Sequence, residues 1–303
     1  MRVADLFCGM GGLALGFSRL GCQVTGYDAS PACVATFRHN GLGTAVVMDL
    51  LRGRPEGRFD IVVGGPPCQP WSPLNMLRRK ANHPLYPAIF RMIEFIDELS
   101  PRAFVIENLP LILHDVEVMR KLDGLEKYRI AKRVIRYSDY GAATSRRRAF
   151  ILGVLRSEGV DPGEVFDEIP RGRPATVRDA IWDLRGRGRD PAIHHVWPRI
   201  GAAAVGRYRS RYQSGRFAYY VLRWDRPAPS FGNVMKTYIL HPDSLDGGET
   251  RPISVREAMR LMGFPDGFRF PPGVGMRDMY QMVADSVSPV FSEKLAKTLL
   301  AHL

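Results

Sequence analysis

The sequence predicts an α/β fold with an open sheet, followed by a smaller second region. Short apolar, β-branched runs at 2–7, 59–63 and 101–106 each lead into a glycine-rich or polar turn, which is typical of buried strands. Between the last two runs, apolar residues from Ala88 to Leu99 recur at helical spacing. A strand, a helix and a strand of these lengths form a βαβ unit, whose strands run parallel and are usually neighbours.

The stretch Gly64-Gly-Pro-Pro-Cys-Gln-Pro-Trp-Ser72 directly follows the strand at 59–63. Its glycines end the strand, and its prolines fix φ and remove backbone donors, so Cys68 stands on a stiff turn at a strand's carboxyl end. In open α/β sheets, ligands bind at that edge. A free cysteine more often packs as a small hydrophobe, but such a residue would lie inside an element. We therefore interpret Cys68 as a nucleophile.

Glu107 begins Glu-Asn-Leu-Pro110 at the end of the strand 101–106. The βαβ geometry predicts that it lies at the same sheet edge as Cys68. A thiolate and a carboxylic acid facing one pocket suit covalent catalysis with proton donation. Alone, Glu107 would more often be a surface or capping carboxylate; the pairing with Cys68 favours a catalytic role.

The first strand leads into Asp5-Leu-Phe-Cys-Gly-Met-Gly-Gly12, which opens a helix that Gly21 ends. Glycines let the backbone approach a ligand, and a helix N-terminus favours an anionic group. The next predicted strands, 23–28 and 44–49, end in Asp28 and Asp49 at the same edge. An acid at the end of the second strand is placed to hold ribose hydroxyls.

A nicotinamide site and an S-adenosylmethionine site both fit this glycine-rich pattern. The fingerprint Gly9-x-Gly11-x-x-Ala14 is a weak signal and does not separate them. The pair of Cys68 and Glu107 separates the two kinds of site, because hydride transfer requires neither residue.

The composition is that of a soluble globular protein, but the charge is uneven. The 303 residues carry a net charge of +12, and the stretch Arg185–Arg226 has ten arginines, two acids and seven aromatic residues. Arginine with aromatic residues suits phosphate contacts and the reading of base edges. Coding bias, with 36 arginines against 7 lysines, explains the choice of arginine but not the scarcity of acids. We therefore expect nucleic-acid contacts here.

The cysteines include no Cys-x-x-Cys pair, so neither a zinc site nor a disulfide framework is predicted. No apolar run approaches the ~18 residues that a membrane span requires. Strand-like sequence follows Met1 directly, without room for a signal peptide. We expect a cytoplasmic, nucleic-acid-associated protein with no metal and no membrane contact.

Taken together, these motifs resemble the cytosine-C5 DNA methyltransferase family. The Pro-Pro-Cys-Gln-Pro-Trp-Ser run is similar to its nucleophile motif, Glu107–Pro110 to its Glu-Asn motif and Asp5–Gly12 to its cofactor motif. Its later motifs are similar to Asp139-Tyr-Gly141 through Arg148, Arg251–Glu257 and Gly263–Asp266. The matches keep the family order from residue 5 to about 295, so the resemblance covers most of the chain.

The resemblance implies a Rossmann-like, S-adenosylmethionine-dependent methyltransferase sheet with a smaller target-recognition domain. Residues 1–156 plus 271–303 would form the catalytic and cofactor-binding domain, because a final helix with Phe291, Leu295 and Leu299 on one face should return to the sheet. Residues 157–270, where strand–helix alternation is lost, would form the target-recognition domain. Within it, Ser254-Val-Arg-Glu257 is a capping box that opens a helix through Met262.

The resemblance also implies the activity of a DNA (cytosine-5-)-methyltransferase, which moves a methyl group from S-adenosylmethionine to C5 of a flipped cytosine in a specific duplex site. Cys68 would attack C6, Glu107 would act at N3, Arg148 would hold O2, and Arg146 would contact a neighbouring phosphate or catalytic group. The cofactor-binding residues would be Phe7, Gly9, Gly11, Gly12, Asp28, Ala29, Asp49, Leu50, Pro66, Leu85, Asp285 and Ser286. The DNA-binding residues would be Gln69, Ser72, Arg78, Arg79, Arg207, Arg209 and Arg211, the last three on one face of an extended segment.

The chain departs from the family pattern at three places. Asp28 stands where the family usually has Glu, Thr144 where it has Gln, and Ala284-Asp285 where it has Gly-Asn. RNA cytosine methylation, a catalytically inactive DNA-binding homologue and a nicotinamide oxidoreductase are the alternatives, and retention of Cys68 and Glu107 argues against the second. The resemblance further implies a prokaryotic restriction–modification system, with a cognate restriction endonuclease acting on the same site as a partner.

Overall fold

The computed structural model describes residues 1–72, 80–200, 202–207, 210, 212, 220–244 and 250–303. They divide into two units. The first unit comprises Met1–Ile135, Arg147–Pro170 and Phe291–Leu303, and the second comprises Arg136–Arg146 and Arg171–Val290. These bounds differ from those expected from the sequence, since 136–146 and 271–290 group with the second unit and 157–170 with the first.

The first unit is built on a seven-stranded sheet. Its strands in chain order are β1 (Arg2–Leu6), β2 (Gln23–Asp28), β3 (Thr44–Val47), β4 (Ile61–Gly64), β5 (Ala103–Asn108), β6 (Tyr128–Arg136) and β7 (Arg147–Leu155). Their spatial order is β3-β2-β1-β4-β5-β7-β6. Strands β1 to β5 pair in parallel, and β7 is antiparallel to β5. The predicted α/β class is confirmed.

The third strand is shorter than predicted. It ends at Val47, so Asp49 follows the strand instead of closing it. The carbonyl of Asp49 accepts hydrogen bonds from the amides of Arg52 (3.0 Å) and Gly53 (2.7 Å), and this turn ends the extended conformation.

The order of the strands creates a topological switch point between β1 and β4. The chain runs outward from β1 to β3 and then returns to β4 on the other side of β1. Leu6 pairs with Gly64, and Gly64 pairs with Ile106, so the turns after β1, β4 and β5 emerge at one edge. This is the edge at which open α/β sheets bind ligands.

The α-helices in chain order are α1 (Ala14–Arg19), α2 (Pro31–His39), α3 (Pro87–Leu99), α4 (Val116–Asp123), α5 (Pro162–Glu168), α6 (Val177–Ile181), α7 (Ala202–Arg207), α8 (Val234–Thr237), α9 (Val255–Met262), α10 (Met276–Asp285) and α11 (Pro289–His302). The helical periodicity predicted for α3 is confirmed. Its residues Ile89, Met92 and Ile96 are buried in one cluster with Val62 and Phe104 of the sheet. Burial of each such side chain contributes about 1.5–3 kcal/mol. Within the described ranges, no helix is both long and apolar enough to cross a membrane.

The last helix returns to the sheet of the first unit, as predicted. Phe291, Leu295 and Leu299 are fully buried, and the ring of Phe291 lies 4.7 Å from that of Phe150 on β7. A Cβ on Gly16 would lie 2.4 Å from the backbone of Ser292. Glycine in α1 therefore allows the close approach of α11.

The second unit contains short helices joined by irregular segments. The predicted capping box is confirmed: the Ser254 hydroxyl accepts from the Glu257 amide (3.0 Å), and the Glu257 carboxylate accepts from the Ser254 amide (2.6 Å). It opens α9, which ends at Met262 before Gly263 with φ +90°. The extended conformation predicted around Arg207 is wrong for that residue, because Arg207 ends α7.

Candidate active site

A turn between β4 and α3 presents Cys68. Cys68 directly precedes a 3-10 helix, Gln69–Trp71, which is closed by a hydrogen bond from the Trp71 amide to the Cys68 carbonyl (3.0 Å). At the start of the turn, the buried Asn108 side chain donates to the carbonyl of Pro66 (2.9 Å). Cys68 itself is half-buried. The turn is thus held by hydrogen bonds on both sides of the thiol.

Glu107 lies against the same turn. It is the second-last residue of β5 and is buried. A Cβ built on Gly65 would stand 3.1 Å from Glu107 Oε2, so the bare backbone of Gly65 leaves room for the carboxylate. The structure therefore brings Glu107 next to the turn that carries Cys68, as the βαβ geometry predicted.

Arg148 forms a buried ion pair with Glu107. Its Nε lies 3.0 Å from Glu107 Oε1, and the two side chains are only 8% and 7% exposed. The pair forms because β7 runs antiparallel to β5, with Glu107 opposite Phe150. Sequence reasoning named both residues but missed their contact, since nothing in the sequence indicated that β5 and β7 are neighbours.

Arg146 is described within the second unit. It is buried, and its Nη1 donates to the carbonyl of Phe231 (3.3 Å). Thr144, which replaces the family's glutamine, is fully buried, and its hydroxyl donates to the carbonyl of Ala228 (3.2 Å). Thr144 Oγ1 also accepts from the amide of Arg146 (3.3 Å). Thr144 thus fastens the backbone that carries Arg146, and joint action of Arg146 with Arg148 stays a prediction.

The loop after β1 is shaped by Asp28 at the end of β2. Its carboxylate accepts from the amides of Gly9 (2.9 Å) and Ser30 (2.8 Å). Phe7 and Gly9 have φ of +57° and +55°, and for phenylalanine this conformation costs on the order of 1–3 kcal/mol. A Cβ on Gly9 would meet no atom within 4 Å. The loop therefore exposes open backbone beside Asp28, where a ligand has room.

A buried acid underlies this loop. Asp5 is 1% exposed, and its Oδ2 has no hydrogen-bond partner among the described residues. Burial, reinforced by the charge of Asp28, raises the pKa of Asp5 well above its usual value. Burial and the nearby Asp5 and Asp28 also raise the pKa of the Cys8 thiol. Cys8 is therefore a neutral, packed cysteine, unlike the half-buried Cys68 on its turn.

The other predicted cofactor residues of the first unit differ in exposure. Asp49 is exposed and accepts from the Leu51 amide (3.0 Å), whereas Leu50 is buried. Ala29 is exposed directly after Asp28, and Leu85 is half-buried directly before α3. Gly11, with φ +92°, and Gly12 are buried in the turn before α1, where a Cβ on Gly11 would overlap Leu42 at 2.2 Å.

Two predicted cofactor residues belong to the second unit. Asp285 is exposed and accepts from the Gln281 side chain (2.8 Å). Ser286 is buried, and its hydroxyl donates to the carbonyl of Val287 (3.1 Å). Their proposed place beside the cofactor stays a prediction.

The predicted DNA-binding residues are only partly described. Gln69 and Ser72 are half-buried in the turn after Cys68, where the Ser72 amide donates to the Gln69 carbonyl (3.2 Å). Arg207 is exposed. The remaining four, Arg78, Arg79, Arg209 and Arg211, lie outside the described residues.

The arginine-rich stretch is more neutral than its sequence indicated. Arg185 pairs with Asp243, a residue beyond the stretch, at 3.0 Å. Arg189 donates to the carbonyl of Trp197 (2.6 Å), and its guanidinium lies 4.6 Å from the centre of that indole ring. The positive charge around Arg185 is therefore smaller than the sequence of the stretch indicates, because the fold brings Asp243 next to it.

Comparison with known proteins decides the family. A model for the C-5 cytosine-specific DNA methylases matches residues 1–301. This chain belongs to that family. Its relatives include the type II methyltransferase M.MthTI of Methanothermobacter thermautotrophicus, 30% identical over 338 residues that cover 100% of this chain and 98% of the relative. The type II methyltransferase M.FnuDI of Fusobacterium nucleatum is 26% identical over 326 residues, covering 98% and 93%.

Solved structures agree with this assignment to the C-5 cytosine-specific DNA methylases. A prophage-encoded E. coli protein described as a DNA modification methyltransferase superposes with a TM-score of 0.75 at 26% identity, over 99% of both chains. The Dnmt2 methyltransferase of S. pombe, at 17% identity, shares the fold with a TM-score of 0.74 over 99% of this chain and 98% of that one. The enzyme is a DNA (cytosine-5-)-methyltransferase, and C-5 DNA methylases use S-adenosylmethionine.

The residues at the sheet edge fit S-adenosylmethionine. The cofactor carries positive charge and ribose hydroxyls, and Asp28 supplies a carboxylate beside open backbone at Gly9. Each carboxylate oxygen of Asp28 accepts one backbone amide. The shorter acid at this position thus shapes the loop in which a ligand has room.

Proposed function

We propose that this methylase modifies C5 of a flipped cytosine within a specific duplex DNA site, as part of a prokaryotic restriction–modification system. The observation that carries the proposal is the Cys68 turn lying against the buried Glu107–Arg148 pair at the switch-point edge. Full-length similarity to type II methyltransferases supports the biological setting, in which a cognate endonuclease would cut the same site.

The chain's loops after β1, β2 and β3 would hold the cofactor. Phe7 would lie against the adenine of the cofactor, Asp28 would bind its ribose hydroxyls and Asp49 would bind the adenine amino group. When bound, S-adenosylmethionine supplies an electrophilic methyl group. Open backbone at Gly9 and the strained conformation of Phe7 support this arrangement, because strain in a loop is commonly retained where it serves a ligand site.

The enzyme must activate C5 of cytosine, because this carbon is a poor nucleophile. The Cys68 thiolate would form a bond to C6, which moves electron density onto C5. Glu107 would hold a proton at N3, and Arg148 would place its positive charge at O2. After C5 has gained the methyl group, loss of the C5 proton returns electrons to the ring, breaks the S–C6 bond and releases Cys68 as a thiolate. Proton donation by a positioned group accelerates such steps by roughly 10²–10⁴-fold.

The target cytosine must leave the base stack before Cys68 can reach it. Unstacking costs a few kcal/mol, which contacts to the DNA backbone and to the flipped base offset. The second unit, with its arginine-rich stretch, would supply target recognition. Arg207 at the end of α7 is its exposed, described candidate for a base contact.

Trapping with 5-fluorocytosine tests the proposal, because fluorine at C5 cannot leave as a proton does. The wild-type protein should form a covalent adduct with a duplex that carries this base, and Cys68→Ser should neither form the adduct nor transfer methyl groups. Binding of S-adenosylmethionine should stay within a few fold in Cys68→Ser, since the thiol contacts the base. An adduct with Cys68→Ser would contradict the assignment of the nucleophile.

The substrate and the site need separate measurements. Transfer of a tritiated methyl group to duplex DNA and to tRNA distinguishes DNA from RNA methylation, and we expect label in DNA. Bisulfite sequencing of plasmid DNA, with and without the gene, should then show methylation at one short sequence. Label confined to tRNA, or methylation without sequence preference, would contradict the proposed function.

A further inference from the structure

Three buried side chains, one of them from the nucleophile turn itself, form a hydrogen-bonded cluster. Trp71 Nε1 donates to Asp115 Oδ2 at 3.0 Å, and the Tyr86 hydroxyl lies 3.1 Å from Asp115 Oδ1. The indole and phenol rings lie 5.8 Å apart. All three residues are buried. None of them belongs to the set of residues that sequence reasoning assigned to the reaction.

The carboxylate of this cluster, that of Asp115, is held in place by the start of a helix. Asp115 is the N-cap of α4 and accepts from the Val118 amide (3.4 Å). Burial and the neighbouring carboxylates of Asp115 and Glu117 raise the pKa of Tyr86, so its hydroxyl remains a donor. An indole N–H can only donate, and its hydrogen bond to Asp115 therefore has a single direction. The position of Trp71 is tied to the start of a helix.

Trp71 transmits this restraint to Cys68. Its amide donates to the Cys68 carbonyl at 3.0 Å and closes the 3-10 turn. On the other side of the thiol, Asn108 holds the carbonyl of Pro66. Asn108 and Asp115 both belong to the short segment that follows Glu107 in the chain. This one segment, which directly follows Glu107, therefore restrains both ends of the nucleophile turn.

We propose that Trp71 and Asp115 are positioning residues, which hold Cys68 at reacting distance from the flipped base beside Glu107. The inference rests on the proposed function, because it assumes attack by Cys68. Two residues separate Cys68 from Trp71, so loss of the indole hydrogen bond lets the turn relax without removing any reacting group. A shift of about 1 Å at a reacting atom costs on the order of 10²-fold in rate.

The test compares two variants that each remove one hydrogen-bond donor beside Asp115; the Tyr86 hydroxyl also lies 3.2 Å from Glu117 Oε2. Trp71→Phe deletes the indole N–H and keeps an aromatic ring, whereas the matched control Tyr86→Phe deletes a hydroxyl and leaves the Trp71–Asp115 bond in place. Adduct formation with the 5-fluorocytosine duplex is measured in single turnover, at saturating DNA and S-adenosylmethionine. We expect Trp71→Phe to slow trapping roughly 10- to 100-fold, and Tyr86→Phe to stay near the wild-type rate. The dissociation constant of S-adenosylmethionine should be unchanged in both.

A second pair of variants keeps the test decisive if Trp71→Phe folds poorly. Asp115→Ala removes the acceptor, and Asp115→Asn retains one acceptor oxygen as well as N-cap capacity. We expect trapping by Asp115→Asn to be clearly faster than by Asp115→Ala. Equal rates in that pair, an equal slowing in Trp71→Phe and Tyr86→Phe, or a wild-type rate in Trp71→Phe would overturn the positioning role. Absence of an adduct in the wild type would overturn the proposed function, and this inference with it.

Discussion

Each of the two units contains a buried pair of glutamate and arginine, and the two pairs are built differently. In the second unit, Arg251 donates from Nη1 and Nη2 to both oxygens of Glu257, at 2.8 and 2.7 Å, and the Ser254 amide adds a third hydrogen bond. In the first unit, Arg148 approaches Glu107 through Nε at 3.0 Å, while its Nη1 donates to the Arg147 carbonyl.

The surroundings of the two carboxylates differ as well. Burial alone would raise the pKa of Glu257, but hydrogen bonds from Arg251 and the Ser254 amide hold it below its usual value. Glu257 opens α9 and has a structural task. Glu107 lies instead at the sheet edge, against the bare backbone of Gly65 and the turn of Cys68. The forked pair in the second unit belongs to a helix cap, whereas the pair of Glu107 and Arg148 lies at the edge where a substrate is proposed to bind.

Replacing the two glutamates separates these tasks, with the largest effect expected at Glu107. Glu107→Gln should slow methyl transfer by roughly 10²–10⁴-fold, because the proton at N3 is lost. Single-turnover methylation of duplex DNA measures this rate. Turnover near that of the wild type would remove Glu107 from the mechanism.

The matched variant Glu257→Gln should instead reduce stability. It leaves the Arg251 charge buried without its partner, which costs roughly 3–5 kcal/mol in the free energy of unfolding. Urea denaturation measures the loss, and we expect a smaller one for Glu107→Gln, because Glu107 lies near the end of strand β5 and does not open a helix. A larger loss in the free energy of unfolding for Glu107→Gln than for Glu257→Gln would contradict the structural role assigned to Glu257.

A smaller effect is expected in DNA recognition by the second unit. Arg207 is exposed, so Arg207→Ala should relax preference at a single base pair by about 1–3 kcal/mol. Arg185, held by Asp243 and stacked on Trp182 (4.8 Å), is the control, and Arg185→Ala should leave site preference unchanged. Methylation of a randomised duplex library measures both. Uniform weakening at all sites with a flatter salt dependence would make Arg207 a phosphate contact instead.

The smallest effect is a pH dependence of stability around Glu257. Burial, with the charge of Arg251, lowers the pKa of His241 to about 4, against the opposing effects of Glu257 and Asp243. The unfolded chain therefore binds more protons between about pH 6.5 and 4, so stability is fully present above pH 6.5 and falls as the pH is lowered through this range. His241→Asn should reduce the slope.

Denaturation at pH 7, 6 and 5 measures this slope for both proteins. A residual slope is expected in His241→Asn, because burial also lowers the pKa of His195. An unchanged slope would show that the pKa of His241 is the same in the folded and the unfolded chain.

Local features of this protein were determined by the sequence itself. The periodicity of α3, the capping box of Ser254 and Glu257, and the stiff turn that presents Cys68 all follow from residues within a few positions of one another. Local propensity and hydrogen bonding decide such features, so they can be predicted without knowing the remainder of the chain. The shared edge of Cys68 and Glu107 also follows, because a βαβ crossover constrains its two strands.

Contacts between distant segments were decided only by the tertiary structure. The pairing of Glu107 with Arg148 requires β7 to lie antiparallel beside β5, and the cluster of Trp71, Tyr86 and Asp115 requires three separate segments to meet. Likewise, Asp243 neutralises Arg185 from outside the arginine-rich stretch. Strand order and long-range packing depend on the burial of the whole core, which no short pattern encodes. The reacting groups are therefore visible in the sequence, whereas the partners that orient them appear only in the fold.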